Sequence, residues 1–382
     1  MARKSKTPHS RSGNDAGVIS VLIARFSALG DVAMTIPVVY SACMCYPDVS
    51  FVFVTRPSMT SIFINRPANL QVVGADVKND YRGVTGMRRL VAELTGEYRP
   101  DVFIDLHNVL RTRLMTIFCR LRGIRTATLY KARDARRALT RARHKVMIPL
   151  VSQRARYREA FFKIGLPLTE RFSGLFEGPG SSDSAAFRAI SAPKAPGEVW
   201  IGIAPFAAHP GKIYPPEMME KVVEALVGSP CGVSGRLKIF LLGGGDHEKE
   251  VLEGWEKRFP EAITSLAGKR YGFPAELALL NHMDLVVAMD SANMHLAAIA
   301  GAPTLSIWGA THPYCGFKAW RQKDSDTVQL NLGCRPCSVF GNKPCRESSD
   351  YPCLSGIRPS AIFEKILAKV PAIGDDKAGI KK

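Results

Sequence analysis

FSALGDVAMTIPV spans residues 26–38. The apolar run ISVLIA (residues 19–24) leads into it, and an apolar helical pattern continues from Val32 to Tyr46. Strand, glycine turn and helix in that order form the unit with which alternating α/β proteins hold anions, because a helix N-terminus presents free amide donors and the positive end of its dipole. Asp31, directly after Gly30, works against that use, since a carboxylate there repels an anion. It reads either as a helix cap or as a carboxylate brought to a strand's C-terminal end to take a proton from an attacking hydroxyl. The main phosphate cradle then lies elsewhere in the chain.

The same grammar recurs on both sides of this stretch. Strand-like runs fall at residues 19–24, 49–54, 70–73, 102–106 and 126–130, with helical patterns at 32–46, 85–97, 110–121 and 153–164. Continuous β-branched strands alternating with amphipathic helices predict a parallel sheet covered on both faces. Residues 173–198 are rich in Gly, Pro, Ser and Ala and read as a connection. Strands then restart at 199–204, 238–242, 263–266, 285–288 and 304–307, separated by helical patterns, and a last helix covers 359–370. The expected fold class is therefore α/β: two Rossmann-like, doubly wound domains (18–172 and 199–370) facing across a cleft, joined by a linker (173–198), with flexible tails at 1–17 and 371–382. Ligands of such sheets bind beyond the C-terminal strand ends, which places the site in the cleft.

With 46% hydrophobic and 23% charged residues, the 382-residue chain has the composition of a folded globular protein, not a disordered one. No run approaches the roughly 20 apolar residues of a membrane helix. VISVLIA is short and ends at Arg25, so it reads as a strand and not a signal peptide, and a cytoplasmic location is expected. The formal net charge is +18, and between Arg111 and Arg158 fifteen Lys and Arg face one acid, Asp134. Such a field attracts polyanions: nucleic acid, phospholipid or a phosphorylated glycolipid. No basic strand with interleaved aromatics is visible, so nucleic acid is not the expected partner, although a basic nucleic-acid-binding protein is the alternative class.

Three further segments sit where strands end. APFAAHPGKIYP (204–215) carries Lys212 ahead of a Pro-started helix. LLGGGD (241–246) is a glycine-rich turn closing on Asp246, and DSANMHLAA (290–298) opens a helix with Asp290, Ser291 and Ala292 and places His295 one turn in. Each has an ordinary structural reading: a surface lysine, a tight turn, a cap, a core histidine. Together, Lys212, the amides opening the second helix and His295 can meet at a diphosphate, where a point charge and a helix dipole stabilise negative charge developing on a leaving group. Of nine cysteines, four are grouped as Cys334-x2-Cys337-x7-Cys345-x7-Cys353, which reads equally as a structural zinc site or as packed thiols.

These segments resemble the ADP-heptose:lipopolysaccharide heptosyltransferases, family nine of the glycosyltransferases, which have the two-domain GT-B fold. SALGDVAMTIP is similar to the family's N-terminal S-x-[LM]-G-D-x-x-x-T-x-P, HPGKIYPPEMM to its K-x-W-P loop, and MDSANMHLAAIAGAPTLSIWGATHP to its nucleotide-sugar motif. The resemblance covers roughly residues 19–370. It implies that Asp31 is the general base and that Lys212, Asp246, Asp290, Ser291, Ala292 and His295 bind the donor. It further implies that Ser27, Gly30, Arg111 and Arg113 face the acceptor. The implied reaction is inverting and needs no catalytic metal. Its donor is an ADP-sugar and its acceptor an anionic glycolipid at the inner face of the inner membrane. The chain departs from the family pattern at Ala207 and Ala208, where hydroxyl residues are usual, at Ala292 for Gly, and at Tyr214 for Trp. A relative that binds a nucleotide-sugar without turning it over is the other reading that these departures leave.

Overall fold

The computed structural model describes residues 20–375. The expectations for residues 18 and 19, for the tail 1–17 and for 376–382 lie outside that range. The described strands are β1 (Ser20–Ala24), β2 (Ser50–Thr55), β3 (Leu70–Gly74), β4 (Val102–Asp105), β5 (Arg125–Thr128), β6 (Val199–Ala204), β7 (Leu237–Leu241), β8 (Ile263–Ser265), β9 (Leu285–Met289), β10 (Thr304–Ile307) and β11 (Thr327–Val328). The helices are α1 (Leu29–Ala33), α2 (Ile36–Cys45), α3 (Gly83–Tyr98), α4 (Leu110–Arg120), α5 (Arg133–Leu139), α6 (Gln153–Phe162), α7 (Pro216–Val227), α8 (Pro230–Val233), α9 (Asp246–Arg258), α10 (Phe273–Asn281), α11 (Ala292–Ala300), α12 (Pro352–Ser355) and α13 (Pro359–Lys369).

Two parallel sheets result, ordered β3-β2-β1-β4-β5 and β11-β10-β9-β6-β7-β8. β1, β6 and β9 are buried at every position, as strands covered on both faces must be. In each sheet the winding runs outward from one central strand, then returns to its other side. The reversals fall between β1 and β4 and between β6 and β9, and crevices open at such switch points.

The helix expected over 32–46 is two helices. Pro37, the second residue of α2, has no N–H to donate and its ring clashes with the carbonyl four residues earlier. α1 therefore stops at Ala33 and the chain restarts at Ile36. The expected linker is packed, not loose: Phe187 and Leu175 are buried, Leu175 N donates to Ile299 O at 2.8 Å, and Ser182 N donates to Asn281 Oδ1 at 2.9 Å. The first residues of the expected C-terminal tail likewise form a helical turn, Pro371–Ile373, with Ile373 fully buried. Apolar residues inside a stretch rich in turn-formers were enough to hold both segments down.

The lobes share a core. One apolar cluster joins Val32, Val39 and Phe161 of the first lobe to Leu279, Ile299 and Trp308 of the second. Backbone hydrogen bonds reinforce the junction, from Leu150 N to Tyr314 O and from Gln153 N to Gly316 O, both at 2.8 Å.

Candidate active site

The connections leaving the two switch points meet where α1 packs against α11. The approach is close. A Cβ added at Gly30 would stand 3.0 Å from His295 Cδ2 and 3.2 Å from Ala292 Cα, tighter than ordinary contact, so a larger residue here would have to push α11 back by a few tenths of an ångström. Asp31, the next residue, pairs with Arg25 at 2.7 Å; the arginine is 6% exposed and the carboxylate 23%. Arg25 is the first polar residue after β1. It donates to the Leu106 carbonyl and lies over the Tyr157 ring, 5.6 Å from its centroid. Burial works against its charge, but Asp31 beside it prevails and holds its pKa above the ordinary value.

Asp31 lines two cavities. The larger, of about 470 Å³, is walled chiefly by the second lobe: Phe206, Lys212, Glu248, Asp290, Ser291 and His295. Lys212 ends the short turn Pro210–Lys212 after β6, and its Nζ meets Asp290 Oδ2 at 2.9 Å. The Thr311 hydroxyl donates to the same oxygen at 2.8 Å. Lys212 is fixed from behind as well, because Gly341 lies against its stem so closely that a Cβ there would stand 2.6 Å from Lys212 Cγ. Ser291 is the N-cap of α11 in extended conformation and makes no capping bond, so its buried hydroxyl has no protein partner and the first amides of α11 receive none from it. His295 is buried; desolvation pulls it down to about 4 despite the opposing pull of Asp290 and Asp31. At neutral pH its imidazole is uncharged, and Nδ1 lacks a protein partner. It can offer a hydrogen bond at a diphosphate, but not the positive charge that a histidine beside Lys212 suggests.

The smaller cavity, of about 180 Å³, belongs mainly to the first lobe, with Arg25, Ser27, His107, Lys131 and Arg136 around Asp31. Ser27 Oγ is 3.2 Å from His107 Nε2, and the His107 amide donates to the buried carboxylate of Asp105 at 2.8 Å. Desolvation, helped by Arg25 and Lys131, lowers His107 to about 3, so it too is neutral. Burial lowers Lys131 and Arg136 below their usual values. Arg136 lies over the adjoining rings of Phe317 and Phe340, at 5.6 and 5.7 Å from their centroids, and both rings line both cavities. Arg25 Nε, Arg136 Nε and His107 Nδ1 are buried without a protein partner. The arrangement is a pocket rich in cations, with Arg25, Lys131 and Arg136, beside one where Lys212 meets Asp290 and Glu248, with the Asp31 carboxylate in the wall between them.

Ser27, Gly30, Asp31, Lys212, Asp290, Ser291, Ala292 and His295 thus converge, with Gly30 facing the larger cavity and Ser27 the smaller. Three expected residues do not join them. Arg111 and Arg113 are exposed on α4, whose inward face is taken by Thr112 and Met115. Asp246 is exposed as the first residue of α9; Glu248, two positions on, turns back to accept from Gly244 N at 2.7 Å and lines the cavity in its place. Sequence reasoning missed Arg25, His107, Lys131, Arg136 and Glu248. Only Arg25 carried a visible signal, a charge closing an apolar strand.

The four grouped cysteines, read equally as a zinc site or as packed thiols, come together in the fold. Cys334, Cys337 and Cys345 border a small cavity with Lys145, and Cys353 is buried close by, its thiol raised to about 11 mainly by burial. The Cys337 thiol is directed at the Cys334 carbonyl oxygen, 3.1 Å away. Among the described residues no group of three or more His, Cys, Asp or Glu is placed to hold a metal ion. The thiols do not fit a zinc or iron site as they stand.

A family model described as glycosyltransferase family 9 (heptosyltransferase) matches residues 87–346. Lipopolysaccharide heptosyltransferase 3 of Escherichia coli is 27% identical over 160 residues, which are 40% of this chain and 41% of that protein. The chain aligns to between a fifth and about two fifths of the length of the curated relatives it matches. The solved structure of E. coli heptosyltransferase WaaC with ADP superposes with a TM-score of 0.61 at 18% identity, over 92% of this chain and 100% of that one. The iron-containing dodecameric glycosyltransferase TibC from enterotoxigenic E. coli gives 0.52 at 13% identity, over 93% and 77%.

Proposed function

The chain belongs to glycosyltransferase family 9, the heptosyltransferases, and from that premise we propose that it moves a heptose or related sugar from an ADP-sugar to an anionic lipopolysaccharide inner-core acceptor, with inversion at the anomeric carbon. The working units are residues 18–172 for the acceptor and 199–370 for the donor. The observation that carries this reading is that Asp31 lines both cavities.

The donor occupies the larger cavity. Its diphosphate meets Lys212, the uncapped amides of α11 and the neutral His295. The acceptor brings its hydroxyl through the smaller cavity, and its anionic group rests against Lys131, Arg136 and Arg25. Asp31 takes the hydroxyl proton as the oxygen attacks the anomeric carbon; the new C–O bond forms as the bond to the diphosphate breaks. Attack from the Asp31 side, opposite the diphosphate, inverts the centre. No catalytic metal takes part, because Lys212 and the α11 dipole meet the charge that develops on the departing phosphate. The enzyme works at the cytoplasmic face of the inner membrane. Among the described residues no helix is long and apolar enough to cross a membrane.

A thermal-shift screen across nucleotides and nucleotide-sugars, followed by product analysis with a lipid acceptor extract, tests the proposal. ADP and ADP-heptose should stabilise the protein in proportion to concentration over dissociation constant, UDP- and GDP-sugars should not, and heptose should appear on the lipid. Stabilisation without product would leave a binding protein. Stabilisation by a different base would move the donor assignment.

A further inference from the structure

α4 buries one side and leaves an apolar stripe on the other. Leu110 is 76% exposed, Ile117 50% and Leu121, the residue after its last turn, 77%. At about 100° per residue these three point within about 40° of one another, and at about 1.5 Å per residue they run for about 16 Å. Arg113 and Arg120 flank the stripe on one side and Arg111 and Arg122 on the other, and no acid occurs between Asp105 and Asp134. The helix starts at the smaller cavity, because Val109, its N-cap, lines that cavity. Scattered exposed leucines are ordinary on a protein surface, but an apolar ridge between two arginine rows is the pattern of a helix lying in a lipid interface.

We propose that α4 seats the protein on an anionic bilayer, with Leu110, Ile117 and Leu121 entering the headgroup layer and Arg111, Arg113, Arg120 and Arg122 meeting lipid phosphates. This deepens the proposed function, because it sets the membrane at the rim of the acceptor cavity. It also accounts for Arg111 and Arg113, which the acceptor cavity does not use. The charge complementarity selects a bilayer over a protein partner: the arginines satisfy many interchangeable phosphates, and the ridge has no groove or aromatic anchor of the kind that protein interfaces concentrate.

Vesicle co-sedimentation of the full chain tests this directly. Wild type should bind vesicles of equal parts phosphatidylethanolamine and phosphatidylglycerol, and bind phosphatidylcholine vesicles far less. Binding should fall as salt rises from about 0.1 M to about 1 M, where screening shortens from about 10 Å to about 3 Å. Leu110→Gln with Leu121→Gln should lower partitioning about tenfold or more, as should Arg120→Ala with Arg122→Ala. All four positions are at the surface, so circular dichroism should be unchanged. Against a deacylated, water-soluble acceptor the leucine variant should turn over like wild type, while losing rate on acceptor held in vesicles. Equal binding by wild type and the leucine variant overturns the proposal. So does concentration-dependent self-association abolished by the same variant, which would make α4 a contact between copies. If no sugar is transferred at all but vesicle binding follows the stated pattern, the functional assignment fails and the docking surface stands.

Discussion

The two cavities that meet at Asp31 handle charge in opposite ways. In the larger one, Lys212 is already paired with Asp290, His295 has shed its proton to burial, and Glu248 adds a further carboxylate, so acids outnumber cations there. In the smaller one, Arg25 has Asp31, but Lys131 and Arg136 line the same wall without an acid that the cavity supplies. A nucleotide diphosphate is anionic before its bond to a sugar breaks and gains charge as it breaks, so Lys212 and the α11 amides would have to serve it in both states. The surplus of cations in the smaller cavity suits an anionic group on a substrate.

That contrast can be broken in four places. The largest effect belongs to the shared wall. Asp31→Asn should cut kcat by roughly 10²–10⁴ if it is the base, with ADP affinity nearly unchanged by titration calorimetry. A mutant with wild-type turnover would remove the carboxylate from the chemistry. Next, Lys212→Ala strips the donor side of its one paired cation; ADP should bind roughly tenfold to a hundredfold more weakly, and Asp290, left buried with Thr311 alone, should lower Tm as well. Unchanged calorimetry would show that the diphosphate lies elsewhere. On the acceptor side, Lys131→Gln and Arg136→Gln should each raise acceptor KM by about tenfold while leaving the ADP dissociation constant alone. If both constants moved together, the two cavities would not be separate sites.

The smallest effect is a pH trend. His107, His295 and His312 sit at about 3, 4 and 4 in the folded chain, all below the ordinary histidine value of 6.5. Between those values the unfolded chain binds more protons than the folded one, so stability falls as pH drops from about 6.5 towards 4. Melting curves should show this slope, and His295→Asn should flatten part of it. An unaltered slope would mean that the ring is not as dry as its burial indicates.

How much of this could be read from residues alone follows from what kind of information each part needs. Buried parallel strands announce themselves as unbroken β-branched runs, and Asp31, Lys212 and Asp290 drew attention because each lies in the connection that leaves such a strand. The wall of the smaller cavity was not legible. Lys131 and Arg136 lie in a basic tract of fifteen cations, and only the fold decides which of them turn inward. Arg111 and Arg113 looked equivalent until α4 assigned its inward face to Thr112 and Met115. Asp246 and Glu248 differ by two positions at a helix start, a shift of about 200° around the axis, which no spacing rule resolves. The break at Pro37 was legible and went unread.

The apolar cluster common to both lobes has a consequence for how the molecule works. Swinging the halves widely apart would wet Val32, Leu279 and Ile299, side chains that are dry in the folded state. The chain should then unfold in a single cooperative step, and proteases should release neither half intact. Any closing movement in turnover should then be a small rocking about an oily floor.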